Sequence, residues 1–241
     1  MKTALVFGSS GLIGEHLLNQ LIKNENYNLI KIFVRSEIFI NHPKVQLIKT
    51  DFYHIENYKE EIKGEDCFFC IGTTKKNSPK KDEYKYVELE LPKKIAQIAK
   101  LNSVSSFIFV SSGFANSKSA GEYLRYKGLV EEKLQDLQFS KLGILRPSFL
   151  LGDRKVLRIG EKIGIFFFKL ASPMLIGPLS KMKPIAADTV AKAMIKIANH
   201  NLDKIIFESN EIQNILNFSE TKIFQLQGLP YNPCLQLLLL V

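Results

Sequence analysis

The stretch Gly8-Ser9-Ser10-Gly11-Leu12-Ile13-Gly14 follows the short apolar run Ala4–Phe7 and opens the segment Leu12–Lys23, where apolar residues recur at helical spacing. A sharp turn from strand to helix, a close approach of backbone amides to a ligand, and tight packing of the helix on a sheet each require a missing side chain. The helix N-terminus adds positive potential for phosphate groups. The loop therefore predicts dinucleotide binding, against the alternative that its glycines only make a turn.

Short apolar runs alternate with helix-length segments over the first 150 residues. The predicted helices cover Leu12–Lys23, Glu90–Leu101 and Gly121–Leu137. The runs lack the alternation of a half-exposed sheet, so they are interpreted as buried parallel strands: Ala4–Phe7, Leu29–Val34, Val45–Lys49, Asp66–Ile71, Ser106–Ser111 and Leu142–Arg146. This order predicts an α/β fold of the Rossmann type, a doubly wound parallel sheet.

The pattern weakens after about residue 150, which suggests three parts of the chain. We expect a dinucleotide-binding domain over 1–150, a smaller region over 151–212 that covers the carboxyl edge of the sheet, and an extension of unknown role over 213–241. Within the second part, Glu161–Leu170 and Val190–Asn199 are predicted helices, and Ile205–Glu208 is a predicted strand.

Composition excludes several classes of protein. Of the 241 residues, 46% are hydrophobic and 24% are charged, which is typical of a globular domain rather than a disordered chain. Three cysteines without a disulfide-rich spacing favour a reducing cytoplasm. No signal peptide is expected, because the short run Ala4–Phe7 is followed by glycine and is not an apolar h-region with a cleavage site. No transmembrane segment is expected, because the apolar stretch Ile163–Leu179 is interrupted by Lys169 and Pro173 and is shorter than about 20 residues. That stretch leaves peripheral membrane contact and a subunit interface as open alternatives.

The net charge of +9 favours anionic partners without choosing among them. Residues 118–183 carry 13 basic and 6 acidic side chains, so a small, anionic substrate is one hypothesis. Specific nucleic-acid binding is not expected, because no helix-turn-helix, zinc-finger or stacking motif accompanies the charge. The oligomeric state is not predicted.

The end of the second predicted strand bears on cofactor choice. Proteins that prefer NAD place an acidic residue there, about 20 residues past the glycine loop, to bind the ribose 2′-hydroxyl. This chain has Arg35, which could pair with a 2′-phosphate. Arg35 therefore favours NADP over NAD, with a solvated surface arginine as the alternative.

Two more strand ends offer candidate cofactor contacts. Asp51 and Phe52 could meet the amine and the face of an adenine ring, although Asp51 could equally cap the end of its strand. Ile71, Gly72 and Thr73 end the fourth strand, where small residues would leave room for the ribose on the nicotinamide side.

A tyrosine and a lysine follow the fifth strand at helical spacing. Tyr123 and Lys127 are four residues apart and therefore share one face of a helix. An ammonium beside a phenol favours the phenolate, so the pair could act as a general acid/base on a carbonyl or an alcohol. Ser111 or Ser112, at the neighbouring strand end, could hold the substrate oxygen where charge develops. A surface tyrosine with a solvated lysine is the alternative.

No metal site or redox pair is predicted. Cys67 and Cys70 lie three apart within a predicted strand, so their side chains point to opposite faces and cannot meet. The histidines show no ligand spacing with cysteine or carboxylate: His16, His42, His54 and His200.

Together these residues resemble the short-chain dehydrogenase/reductase superfamily, in its atypical and extended branches, and within it the Tat-interactive-protein-like NAD(P)-binding oxidoreductases. The likeness covers about residues 2–212. It is carried by Ala4–Gly14, Phe69–Thr74, Val110–Ser112, Tyr123–Gly128 and Leu145–Gly152.

The resemblance implies a Rossmann fold, bound NADPH and a Ser-Tyr-Lys catalytic group. Carried over by position, Tyr123 would be the acid/base, and Lys127 would bind the ribose hydroxyls and lower the pKa of the tyrosine. Ser112, or failing that Ser111, would orient the substrate oxygen.

The resemblance also implies a contact beyond the catalytic group. Pro147 and Ser148 match a stretch that lies beside the nicotinamide in similar proteins.

Three functions remain open at this point. One is an NADP-dependent oxidoreductase that transfers hydride to or from a carbonyl or alcohol carbon. The others are a cofactor-binding regulator or assembly factor without turnover, and an epimerase that recycles its nicotinamide internally. The spacing of Tyr123 and Lys127 favours an enzyme, because a regulator has no need of the pair.

Overall fold

The computed structural model describes residues 1–36, 38–151 and 183–216. Its strands are β1 (Lys2–Phe7), β2 (Tyr27–Val34), β3 (Val45–Lys49), β4 (Asp66–Phe69), β5 (Ser106–Val110), β6 (Lys141–Arg146), β7 (Leu150–Leu151), β8 (Ile185–Ala186) and β9 (Ile206–Glu208). Its α-helices are α1 (Leu12–Lys23), α2 (Lys81–Lys85), α3 (Leu91–Leu101), α4 (Glu122–Asp136), α5 (Ala187–Asn199) and α6 (Ser209–Ile215). A 3₁₀ helix covers Phe52–Tyr58 and a π-helical turn covers Tyr86–Glu90.

Seven strands form one parallel sheet in the order β3-β2-β1-β4-β5-β6-β9. From β1 the chain builds outward to β3, then crosses back to place β4 on the other side of β1. The carboxyl ends of β1 and β4 therefore form the crevice at which doubly wound sheets bind ligands. This arrangement confirms the predicted Rossmann-type α/β fold.

The core lies in two layers, one on each face of the sheet. One layer joins Val6, Ile32 and Ile108 to the buried sides of α1 and α5. The opposite layer is rich in phenylalanine and packs under α3 and α4. In it, Phe7 stacks on Phe33 with ring centres 4.3 Å apart.

The central strands β1, β4 and β5 are buried on both faces, which explains their continuous apolar runs. The expectation that Val45–Lys49 is a buried strand is wrong, because β3 lies at the edge of the sheet and exposes Gln46 and Lys49.

The helix predicted to begin at Glu90 begins earlier, at Lys81, and includes the π-helical turn Tyr86–Glu90. Pro92 has no N–H, and in a regular α-helix its ring would clash with the carbonyl of Glu88, four residues before it. In the π turn the Leu91 N–H donates instead to the Tyr86 carbonyl, which widens the helix before the proline. The turn thus lets one helical run continue through a residue that would otherwise end it.

The region after residue 150 is described in part. The predicted helix Val190–Asn199 lies within α5, and the predicted strand Ile205–Glu208 corresponds to β9, which joins the main sheet beside β6. The predicted helix Glu161–Leu170, the apolar stretch Ile163–Leu179 and residues 217–241 lie outside the described residues. The domain boundaries stay predictions. Among the described helices, none is long and apolar enough to cross a membrane.

Candidate cofactor and catalytic site

The loop from Gly8 to Gly14 makes the turn that its glycines predict. Gly8 has a φ of +93°, a region that favours glycine, and a Cβ there would lie 2.9 Å from the backbone of Cys70 and Ile71. The Gly11 N–H donates to the Gly8 carbonyl at 3.0 Å. A Cβ on Gly14 would lie 1.9 Å from the Gly8 carbonyl oxygen, so α1 packs directly against the loop.

The same loop leaves polar groups available to a ligand. Gly11 is the N-cap of α1 and provides no side-chain cap, so the first N–H groups of the helix lack that partner. The Ser9 hydroxyl is buried without a hydrogen-bond partner among the described residues. Ser10 and Gly11 are exposed, Leu12 is half-buried, and Ile13 is in the core. These features fit the pyrophosphate of a dinucleotide.

Arg35 is exposed directly after β2, beyond the carboxyl edge of the sheet. Its positive charge interacts electrostatically with the phenol of Tyr53. Partial burial and Glu83 raise the pKa of Tyr53, and Arg35 opposes that rise. The arginine is therefore close to an exposed aromatic ring at the end of the crevice where an adenosine would lie.

Asp51 and Phe52 are used mainly by the fold. The Asp51 carboxylate caps the 3₁₀ helix by accepting from the Tyr53 N–H at 3.0 Å, which is the capping alternative given above. The Phe52 ring packs against the phenylalanine-rich layer, and its carbonyl accepts from the Tyr86 hydroxyl at 2.6 Å. The more exposed ring is that of Tyr53, which is 51% exposed and lies 5.0 Å from the Tyr86 ring.

The segment after β4 reaches the glycine loop from the other side. The Cys70 N–H donates to the Phe7 carbonyl at 2.8 Å, and Ile71 packs on the phenylalanine-rich layer. Gly72 is exposed. The Thr73 N–H donates to a carboxylate oxygen of Glu88 at 2.5 Å, and its hydroxyl lies 3.0 Å from that of Ser78.

Tyr123 and Lys127 share one face of α4, as predicted. The Lys127 ammonium lies 5.9 Å from the ring centre of Tyr123 and 3.1 Å from the carboxylate of Glu88. Burial by itself would lower the pKa of Lys127, but the negative charge of Glu88 raises it above its ordinary value. Tyr123 is 38% exposed. A buried, charged ammonium therefore lies beside a phenol that solvent or substrate can reach.

The two serines at the end of β5 have different environments. The Ser111 hydroxyl is buried and donates to the carboxylate of Glu131. Ser112 is half-buried, and its hydroxyl makes only a long contact of 3.3 Å with the carbonyl of Gly113. Ser112 is thus the serine with a hydroxyl free to turn toward a substrate.

The stretch after β6 is fixed by short hydrogen bonds. The Pro147 carbonyl accepts from the Gly113 N–H at 3.0 Å, which ties it to the serine loop. The Ser148 hydroxyl donates to the Lys183 carbonyl at 2.5 Å and lies 3.2 Å from the Ser209 hydroxyl. Ser148 thus binds its own chain in this structure, while Pro147 borders the serine loop.

Tyr53 and Glu88 are candidate site residues that the sequence analysis missed. Tyr53 stood next to the named Phe52, and only the 3₁₀ turn decides which ring is exposed. Glu88 lies in a charged stretch of a helix, where nothing in the local pattern marks it as buried.

Cys67 and Cys70 lie on opposite faces of the sheet, as predicted. Cys67 belongs to the phenylalanine-rich layer, and Cys70 packs against the other layer. In the described ranges, no group of three or more His, Cys, Asp or Glu could hold a metal ion.

The fold, the glycine loop and the crevice define a dinucleotide-binding protein of the Rossmann class. A family model described as NAD(P)H-binding matches residues 8–201, and the chain belongs to this family. This match confirms the predicted resemblance to NAD(P)-binding proteins, and relatives in sequence and in fold follow.

Two relatives illustrate the match in sequence. Protein HTATIP2 of Rattus norvegicus is 29% identical over 171 residues, covering 69% of this chain and 70% of the relative. Protein FMP52, mitochondrial, of Candida glabrata is 28% identical over 209 residues, covering 84% and 88%.

Two solved structures support the fold. WbmH of Bordetella bronchiseptica in complex with NAD⁺ matches with a TM-score of 0.65 and 15% identity, covering 97% of this chain and 83% of that chain. A UDP-N-acetylglucosamine 4-epimerase of Methanobrevibacter ruminantium matches with a TM-score of 0.62 and 19% identity, covering 85% and 74%. At such identity the likeness establishes the fold.

The expectation of a cytoplasmic protein is wrong by these comparisons, because several FMP52 relatives are named mitochondrial proteins. The expectation rested on cysteine usage, which reports on redox conditions. Free thiols are compatible with any reducing compartment, so this signal could not separate one such compartment from another.

Proposed function

We propose that this protein is an NADPH-dependent oxidoreductase that interconverts a carbonyl and an alcohol on a small substrate. The observation that carries the proposal is the pairing on α4 of an accessible phenol, Tyr123, with a buried ammonium, Lys127, 5.9 Å from its ring centre. A protein that only bound a nucleotide could use the lysine for its ribose but would not need an accessible phenol beside it.

Each residue would have one task. The N-terminus of α1 and the buried Ser9 hydroxyl would bind the pyrophosphate. Lys127 would bind the ribose hydroxyls, and Ser112 would donate a hydrogen bond to the substrate oxygen. Tyr123 would give its Oη proton to that oxygen during reduction and take it back during oxidation. When bound, the nicotinamide supplies or accepts the hydride.

NADPH is favoured over NADH because Arg35 is exposed beyond β2, where a 2′-phosphate would lie. The nearby Tyr53 ring offers a face against which the adenine could pack. The two solved structures named above are complexes with NAD⁺ and with a sugar nucleotide. The proposed preference for NADPH therefore rests on Arg35 of this chain.

An anionic substrate is supported by two lysines between β4 and the middle of α2, Lys75 in the loop and Lys81 at the start of the helix. Lys75 and Lys81 reach the carboxylate of Glu122 at 2.8 and 3.8 Å, and Glu122 directly precedes Tyr123. Both lysines are largely exposed, so their charge would also act on a substrate that approaches the phenol.

The test combines calorimetry with a turnover assay. NADPH and NADH are titrated into the wild type and into Tyr123→Phe, and NADPH oxidation is followed with anionic and neutral carbonyl compounds. We expect tight NADPH binding in both proteins and turnover in the wild type alone. Failure to bind either nucleotide would refute the proposal. If Tyr123→Phe binds NADPH and still supports the function of the protein in cells, the result would favour a regulator. If a substrate is converted without net consumption of NADPH, the result would favour an epimerase.

A further inference from the structure

A buried carboxylate connects two parts of the candidate site that the chain keeps far apart. Glu88 lies in the π-helical turn, and its side chain is 0% exposed. One oxygen accepts from the Thr73 N–H at 2.5 Å, and the other lies 3.1 Å from the Lys127 ammonium. The residue thus contacts the strand end after β4 and the lysine of α4 at the same time.

Resting on the function proposed above, we propose that Glu88 is a positioning residue, which keeps the Lys127 ammonium charged and directed toward the cofactor ribose. The same carboxylate fixes the backbone of Thr73 at the strand end beside which the nicotinamide half of the cofactor would lie.

The helix is shaped to bring this carboxylate inward. Short π-helical turns are uncommon and occur frequently at functional sites. Here the turn Tyr86–Glu90 precedes Pro92 and shifts the register of the helix by one residue. Glu88 is buried on the inner side of this turn, whereas Glu90, two positions on and therefore on the opposite side, forms a half-exposed pair with Lys85 at 3.6 Å.

The charges around Lys127 leave Glu88 as its direct partner. Tyr123 and Glu131 face it from α4, and Cys70 faces it from the end of β4. Burial raises the pKa of the Cys70 thiol to about 12, so this thiol is neutral near pH 7. The Glu131 carboxylate is bound by Arg146. Tyr84, which faces Glu88, is held neutral because burial raises its pKa.

Removal of the Glu88 charge would leave a lysine that is 4% exposed without its counter-ion. A buried ammonium without a partner loses its proton more readily, because burial disfavours the charged form. Glu88→Gln should therefore lower the pKa of Lys127 while it preserves the size of the side chain. A purely structural role for Glu88 would change the stability of the fold without moving this titration.

The primary experiment follows the ¹³Cε resonance of Lys127 by NMR, assigned with Lys127→Arg, in protein labelled at lysine. We expect the wild-type signal to remain that of the charged form up to about pH 10. In Glu88→Gln the midpoint should fall by at least about one pH unit, and in the matched control Glu90→Gln it should not move. An unchanged midpoint in Glu88→Gln would overturn the proposal.

A second variant covers the case in which Glu88→Gln does not fold. Glu88→Asp keeps the charge but withdraws it by one methylene, so the Lys127 midpoint should fall by less than with Gln and in the same direction. A wild-type midpoint below the ordinary lysine value of 10.5 would contradict the proposal without any variant.

Calorimetry with NADPH separates this inference from the proposed function. Affinity for NADPH should fall at least about tenfold between about pH 7 and about pH 10.5 in Glu88→Gln, and by less than about twofold in the wild type and in Glu90→Gln. If the wild type binds no NADPH, the proposed function fails, whereas the Lys127 titration still decides the role of Glu88.

Discussion

The hydroxyl of Ser111 donates a hydrogen bond to the buried carboxylate of Glu131, and this one contact distinguishes two adjacent serines. Glu131 also accepts from Arg146, so Ser111 belongs to a charged network beneath the site. Ser112, one residue further on, is half-buried and makes only a long contact with a carbonyl. The network therefore leaves Ser112 as the serine that can serve a substrate.

Replacing each serine by alanine should affect different properties: Ser112→Ala should lower activity, and Ser111→Ala should lower stability. Ser112→Ala should lower kcat/KM about 100-fold, because it removes a hydrogen bond to the oxygen on which charge develops. Ser111→Ala should lower the free energy of unfolding by about 1–2 kcal/mol, since Glu131 loses one of its buried donors. Urea denaturation and NADPH oxidation measure the two quantities. A larger loss of activity in Ser111→Ala would reverse the assignment.

The contact between α1 and the glycine loop predicts a severe effect of one methyl group. In Gly14→Ala the new Cβ would overlap the Gly8 carbonyl oxygen, 1.9 Å away, so helix and loop must separate. We expect a loss of about 3 kcal/mol or more in the free energy of unfolding, together with loss of NADPH binding. Gly121→Ala is the matched control, because the nearest atom to its Cβ is 3.7 Å away. Equal stability of the two variants would contradict this packing.

The sequence predicted the sheet well because its central strands are buried on both faces. Apolar runs such as Ala4–Phe7 and the glycine loop after them depend on local requirements, which neighbouring residues reveal. The common face of Tyr123 and Lys127 likewise follows from spacing, because residues four positions apart on a helix share a face.

The sequence did not reveal one residue with a distant partner, Glu88, and one whose exposure depends on the form of a turn, Tyr53. Glu88 lies in the π turn before Pro92, and its buried carboxylate contacts Lys127, 39 positions further along the chain. Tyr53 is exposed beyond Phe52 because a 3₁₀ turn, capped by Asp51, directs the two rings differently. Neither the contact between Glu88 and Lys127 nor the directions of the two rings can be predicted from a short stretch of the sequence.

Arg35 gives a test of cofactor preference that needs no substrate. Arg35→Ser should weaken NADPH binding about 10- to 100-fold, the loss expected for a charged hydrogen bond to phosphate. NADH affinity should stay within about twofold, because NADH lacks that phosphate. Calorimetric titration of both nucleotides measures the ratio. Lys49→Ser is the control, because it removes a positive charge from the carboxyl end of the adjacent strand β3. It should change the ratio of NADPH to NADH affinity less than Arg35→Ser does. Equal losses for the two nucleotides would assign Arg35 to the surface.

Arg146 should be among the most important charges for stability. Its guanidinium binds the buried Glu131 on α4 through two nitrogens and reaches Glu208 at 3.2 Å at the end of β9. Arg146→Met removes the cation and leaves the Glu131 carboxylate buried without its main counter-ion. Loss of one partner of a buried pair costs about 3–5 kcal/mol.

Lys204→Met is the control, because it breaks an exposed pair with Glu211, for which a loss below about 1 kcal/mol is expected. Urea denaturation of both variants gives the two free energies. Adding Glu131→Gln to Arg146→Met should recover part of the loss, because the uncompensated charge is then gone. If the arginine variant loses no more stability than the lysine variant, the pair does not hold β6 to α4. If the double variant is less stable than Arg146→Met, the cost of Arg146→Met does not come from a stranded carboxylate.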